Sequence, residues 1–277
     1  MGPSLSPLSR GEMYVHCSAE NTHKGEGNWI EHPLSNSSIT TAGARRMFDV
    51  GFLIKILPEL MRGLAVTVEA TLGGYALALA VGLALALGRR SKVRIIRRMC
   101  DGYVAFMRCT PLLVQLYFAF YVLPSFHIRF EALTTGILCL GFHVGAYIAE
   151  VYRAGIDSIA KGQWEAAAAL GLPFFPLWTR VILPQALPPM IPPLGNYLIG
   201  LFKETPLLAA ITVIDVFGAA NNIAGQTYRY NEPYTAAAII LLAVSLIAVA
   251  LVRHMERHLA PKSQKRGPVA EGKHPAY

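Results

Sequence analysis

Apolar residues run in long blocks along most of this chain, instead of alternating with polar ones as in a half-buried strand or a surface helix. Leu64 to Leu87 carries Glu69 as its only charge. As a helix it would extend about 36 Å at ~1.5 Å per residue, more than the ~30 Å of a bilayer's hydrocarbon core. Tyr103–Pro124, Ala132–Ala149, Ala186–Val213 and Thr235–Val252 are four further blocks of this kind. The pattern predicts an all-α polytopic membrane protein with five transmembrane helices. Composition agrees, with 53% apolar and only 15% charged residues.

Charge supplies the orientation. Arg89, Arg90, Lys92, Arg94, Arg97 and Arg98 follow the first block, and Arg253, Arg257, Lys262, Lys265, Arg266 and Lys273 follow the last. Both groups are expected in the cytoplasm, because basic residues flanking membrane helices stay inside. Five spans then put the N-terminus outside, residues 151–185 inside, and residues 125–131 and 215–233 outside, where Arg129 and Arg229 are the only basic residues. The net charge of +8 does not point to nucleic acid, since the basic groups flank membrane ends and form no aromatic-laced stripe. Membrane lipid is the expected surface.

The ends differ from the middle. Residues 1–46 are polar, lack an apolar period and show no signal-peptide core, so they read as a weakly structured extension or as sequence upstream of the true start at Met47. The membrane domain is expected over 47–259, with a basic cytoplasmic tail over 260–277. Cys17, Cys100, Cys109 and Cys139 are scattered and have no metal-ligand spacing.

Residues 155–184 form a long insertion on the cytoplasmic side, where two spans would need only a turn. Gln163–Leu170 has strong helix propensity and little side-chain bulk, with a stop at Gly171. Trp164 is placed to anchor this helix, and Glu165 lies near its first turn, where a carboxylate suits the positive helix end. Such a helix suits close approach to a cytosolic partner; an amphipathic helix lying on lipid is the alternative.

Nothing in the chain resembles an enzyme site. No span contains a nucleophile with a base or a carboxylate pair, and the chain lacks a G-x-x-x-x-G-K-[ST] loop, so ATP hydrolysis is not expected here. Polar residues inside apolar spans are costly unless they face a cavity or a partner, which makes Glu69, Arg108, Gln115, Glu150, Asn196, Lys203 and Glu204 the candidates for a polar path. Arg108 leads, because Thr110-Pro111 beside it frees backbone groups that could line a pocket, and its guanidinium suits a carboxylate. A structural pair with Glu150 or Glu69, or snorkelling to the cytosolic headgroups, is the competing role. The Lys203-Glu204-Thr205-Pro206 break marks a gate or a kink. Pro188, Pro189, Pro192 and Pro193 predict an irregular start to the fourth span.

Several segments carry a resemblance. Glu165-Ala166-Ala167, then Gly171, then Ile182-Leu183-Pro184 is similar to the EAA motif of ABC importer permeases, and Gly162-Gln163-Trp164 precedes it in register. Arg108-Cys109-Thr110-Pro111-Leu112-Leu113-Val114-Gln115 and Gly145-Ala146-Tyr147-Ile148-Ala149-Glu150 look like the polar amino acid uptake branch of that family. Cys109 and Pro188-Pro189 depart from its usual residues. The resemblance implies a bacterial cytoplasmic-membrane permease without a cofactor of its own. It implies as partners a second permease subunit, two cytosolic ABC ATPases that bind ATP and Mg, and an extracytoplasmic solute-binding protein. Gly162, Trp164, Glu165, Ala166, Ala167, Gly171 and Pro184 would then form the ATPase-coupling segment. Residues 195–208 and Tyr228-Arg229-Tyr230-Asn231-Glu232-Pro233 further resemble ectoine and hydroxyectoine permeases, which would imply a zwitterionic cargo; a polar amino acid stays open. A non-transporting scaffold or receptor, and an ion-coupled secondary transporter, are the alternative functions.

Overall fold

A computed structural model describes residues 48–259; the expectations for residues 1–46 and 260–277 lie outside the described residues. Every regular element among the described residues is helical. Helix α1, Val50–Arg89, is 40 residues long and starts at Asp49, whose carboxylate accepts from the N–H groups of Gly51 and Phe52. At ~1.5 Å per residue it reaches about 60 Å, so it overshoots a bilayer by several turns. Its buried positions, among them Leu60, Gly63, Thr67, Gly74, Ala78 and Gly82, repeat every three or four residues and form a seam of small side chains. Helix α4, Ala132–Asp157, lies in that seam: a Cβ on Gly82 would meet Ile148, and one on Gly145 would meet Val81. Small residues facing each other permit this approach without burying polar groups.

Helix α2, Arg94–Cys109, and α3, Leu112–Tyr117, meet at Thr110-Pro111 with a bend of 104° between α2 and the segment running to Phe126. The expected single span Tyr103–Pro124 is therefore two segments. Thr110 is extended because the proline after it disfavours helical dihedrals, and Pro111 has no N–H to continue the ladder. α3 runs on through a π-helical stretch, Phe118–Val122, and a 3-10 turn, Leu123–Phe126.

After α4 come α5, Lys161–Ala169, and a short turn α6, Phe174–Pro176, which leads through a π-helical stretch, Leu177–Ile182, into α7, Leu183–Glu204. The four prolines sit inside a continuous α7, so the expected irregular start is displaced to the residues before them. α7 ends at the predicted break, where Pro206 opens a 3-10 segment, Thr205–Ile211. The expected outer loop 215–233 instead contains α8, Val216–Thr227, capped by Asp215, whose Oδ1 accepts from Gly218 N. Helix α9, Asn231–Leu259, completes the fold. By length and composition α1, α4 and α9 qualify as spans, and counting each of the two bent units around α2–α3 and α7–α8 as one span gives up to five among the described residues.

The main core joins α1, α3, α4, α7 and the 3-10 segment through Ala78, Leu116, Leu140, Ile148, Leu201 and Leu208. The buried threonines of α1 find partners within the fold, as burial away from water requires. Thr67 and Thr71 donate to carbonyls one turn back in α1, and Val216 N donates to Thr67 Oγ1.

Candidate coupling helix and substrate groove

α5 carries the sequence G-Q-W-E-A-A-A-A with a different facing from the one expected. Glu165 is the fifth residue of the helix and lies beyond its first turn, so the positive helix end does not act on it. It is exposed, as are Ala166, Ala168 and Ala169, whereas Ala167 is buried. Trp164 does anchor the helix: its ring meets Trp178 edge-on at 6.0 Å and packs on the cluster of Ile156, Ile182, Ala186 and Met190. Gln163 Oε1 accepts from Gln185 Nε2, tying α5 to α7. The helix closes where Gly171 takes φ +61°, with Leu172 N donating to Ala167 O and Gly171 N to Ala168 O. This pair of hydrogen bonds satisfies two of the last carbonyls and needs a residue tolerant of positive φ. Gly162 has open space around it, and Pro184 occupies the first turn of α7.

Between α4 and α7 lies an open groove of about 340 Å³. Tyr147, Glu150 and Ala154 face it from α4 at helical spacing, and Pro189, Pro193 and Tyr197 from α7. The paired prolines have a chemical consequence. Gln185 O would bond to the N–H of residue 188 or 189, and Pro189 O to that of 192 or 193, and all four are prolines. Both carbonyls are thus left as acceptors that α7 cannot satisfy itself.

Arg108, Thr110, Pro111, Gln115 and Glu150 are brought together, but their roles divide. Gln115 Nε2 donates to Thr110 Oγ1 at 2.6 Å and to the carbonyls of Met107 and Thr110, so it staples the break and occupies the freed backbone groups. Its Oε1 lies 3.2 Å from His143 Nδ1. Glu150 is held by Arg89 Nη1 at 2.8 Å and by Arg153 Nη2 at 2.8 Å, with Arg108 Nη1 more distant at 3.6 Å. Arg108 lies over the Tyr147 ring at 5.4 Å and keeps its side chain 46% exposed, against 17% for Arg89. Glu150 is therefore an internal anchor, and Arg108 is the loosely held guanidinium beside Tyr147 and Glu150, two of the residues that line the groove.

The other candidates are elsewhere. Asn196 is exposed and does not line the groove. Lys203 and Glu204 end α7, roughly 10 Å further along at ~1.5 Å per residue; Lys203 is exposed, while Glu204 Oε2 is buried without a hydrogen-bond partner. Thr205 donates to Phe202 O beside Pro206, which closes the turn. Glu69 is exposed on α1 and is not the partner of Arg108. Sequence reasoning gave no place in the site to Tyr147, Tyr197, His143 or Arg153, and used Arg89 only for orientation. The i, i+3 spacing of Tyr147 and Glu150 was the available signal for the first.

A protein-family model described as a binding-protein-dependent transport system inner membrane component matches residues 78–261. The permease protein y4tG of Sinorhizobium fredii is 41% identical, over 76% of this chain and 91% of its own length. The L-cystine transport system permease protein TcyB of Bacillus subtilis is 36% identical, over 73% of this chain and 89% of its own. A crystal structure of an amino acid ABC transporter with histidines superposes with a TM-score of 0.72 at 34% identity, covering 76% of this chain and 99% of that one. The inward-facing methionine ABC transporter MetNI, at 18% identity, 77% and 100% coverage and a TM-score of 0.61, shares the fold. The chain belongs to the binding-protein-dependent transport system inner membrane component family: it is a multi-pass inner-membrane permease subunit of an ABC importer, and not an enzyme.

Proposed function

We propose that this permease, paired with a second permease subunit, carries a polar amino acid or similar zwitterion along the α4–α7 groove after an extracytoplasmic binding protein delivers it. The observation that carries this reading is Arg108, exposed over Tyr147 beside an anchored Glu150. Its planar fork suits a carboxylate. The carbonyl of Pro189, a groove residue whose helical donors would both be prolines, suits the ammonium group of the same solute. The relatives named for cystine and the structure named with histidines support an amino-acid cargo. Ectoine and hydroxyectoine carry a comparable charge pair, and the motifs at 195–208 and 228–233 are what favour them.

Energy would come from two cytosolic ATPases that hold ATP and Mg and dock on the exposed alanine face of α5, within the loop 155–184. In this reading the permease domain covers 47–259, five spans place the N-terminus outside, and the Lys203–Pro206 turn acts as a gate on the outer half of α7. Titration calorimetry of the cognate binding protein against polar amino acids, ectoine and hydroxyectoine tests the cargo; tight binding of one amino acid without ectoine binding is the expected result. Uptake by this chain in vesicles, driven by an ion gradient with no ATPase present, would overturn the importer mechanism. A chain that binds its partners but supports no uptake with any of these solutes would be a scaffold.

A further inference from the structure

Helix α2 pairs cations with exposed apolar side chains in a way the transport path does not use. Lys92 just precedes it and Arg94, Arg97 and Arg98 lie in its first turns, and no ion pair among the described residues engages any of the four, whereas Arg89, Arg90, Arg108 and Arg153 around them are all paired. Arg94, Arg97, Arg98 and Asp101 share one face at helical spacing, and Asp101 is already held by Arg89. Ile95, Met99 and Phe106 form the opposite face and are 70%, 69% and 60% exposed. The third side is fixed to the protein: Val104 packs on Ala146 and Ala149, and Cys100 lies against Gly88.

The direction of the helix follows from its contacts. α3 packs along α4 through Leu112, Leu116, Leu140 and Val144, and α2 is turned 104° away from the segment α3 begins. α2 therefore turns across α1 and α4, meeting the end of α1 at Gly88 and the middle of α4, where Val104 packs on Ala146 and Ala149 and Tyr103 Oη donates to Phe142 O. Its charged face lies on the side of Arg89 and Glu150, the side the positive residues assign to the cytosol.

We propose that α2 lies in the plane of the cytosolic membrane surface, with Ile95, Met99 and Phe106 in the upper acyl region and Lys92, Arg94, Arg97 and Arg98 binding the phosphates of anionic phospholipids. An amphipathic helix with a basic face and bulky apolar residues opposite has this resting position, and each basic residue near the surface adds attraction to an anionic leaflet. The inference rests on the cytosolic location of the α1–α2 turn and is independent of the cargo.

The full-length protein, reconstituted in vesicles of phosphatidylcholine with and without phosphatidylglycerol, supplies the test. Spin labels on Ile95→Cys, Met99→Cys and Phe106→Cys should be reached by oxygen more than by a water-soluble nickel chelate, all at one shallow depth. A depth that increases steadily from residue 95 to 106 would make α2 a membrane-crossing segment and overturn the proposal. Protection from both reagents would place a protein on this face, with the same consequence. In native mass spectrometry the protein should retain phosphatidylglycerol over phosphatidylcholine. Each cation removed should weaken that retention about fivefold, so R94Q/R97Q/R98Q should abolish the preference. Equal retention of both lipids by the unsubstituted protein, or unchanged preference in the triple variant, would refute headgroup binding.

Discussion

Arg89 Nη1, at the end of α1, donates to Glu150 Oε1 of α4 at 2.8 Å, and the same guanidinium holds Asp101 of α2 through Nε at 2.7 Å. One side chain thus fastens three helices at one end of the groove. Glu150→Gln would leave Arg89, Arg153 and Arg108 without their shared carboxylate. It should lower unfolding stability by about 1–3 kcal/mol, the range for a half-buried charge-assisted contact. Thermal melting of the purified protein in one detergent measures this.

Arg108 should behave differently from Arg89. At 3.6 Å from Glu150 and 46% exposed, its ion pair is worth about 0–1 kcal/mol, so Arg108→Lys should melt almost unchanged. Uptake should fall at least about tenfold, because the lysine keeps the charge and loses the two-pronged geometry. Initial uptake rates in proteoliposomes with ATPase and binding protein decide it; unchanged rates would make Arg108 a structural residue.

The alanine run of α5 separates docking from folding. Ala166→Arg and Ala169→Arg, on the exposed face, should abolish co-purification with the ATPase at unchanged melting temperature. Ala167→Arg should also destabilise the protein, since the site is 3% exposed and has no room for a charge. Gly171→Val should cost about 1–2 kcal/mol, the strain of a side chain at positive φ. ATPase retention by Ala166→Arg and Ala169→Arg would move the docking surface off this helix.

A glycine in α1 tests the helix seam. A Cβ on Gly63 would stand 2.7 Å from the carbonyl oxygen of Asp215, which is backbone and cannot turn aside. Gly63→Ala should therefore destabilise by about 1–3 kcal/mol. Gly102→Ala in α2, where nothing lies within 4 Å, should stabilise by about 1 kcal/mol through helix propensity. Paired thermal melts compare the two.

Acid should act on the cap of α1. The backbone N–H of Phe52 and the Arg229 guanidinium hold the Asp49 carboxyl below its ordinary value of 3.8. Its contribution is complete above that value and is lost as pH falls through the lower folded value. Melting temperature followed from neutral to acid pH should fall less steeply at the acid end for Asp49→Asn than for the unsubstituted protein.

Orientation is open to direct labelling. In a background without native cysteines, Ser91→Cys should react with an impermeant thiol reagent only from the cytosolic side, and Ser125→Cys only from outside. The reverse pattern would invert the topology read from the basic residues.

Composition and order alone were enough for the membrane class, the short helix at 163–170 with its glycine stop, and the α7 break at Lys203–Pro206. These depend on local chemistry: apolar block length, alanine propensity, positive φ at Gly171 and the missing N–H of Pro206. Local chemistry also marked Thr110-Pro111 as a break, but the size of the bend depends on how α2 and α3 pack against α4, and a linear pattern of apolar residues does not encode that angle. Which alanine of α5 turns inward was likewise decided by the seat of Trp164 on the α4–α7 cluster. The partners of Arg108 and Gln115 were invisible for the same reason. Both are polar residues in an apolar segment, and only the fold, by setting Glu150 between Arg89 and Arg153 and turning Gln115 back onto Thr110, makes one an available cation and the other a staple.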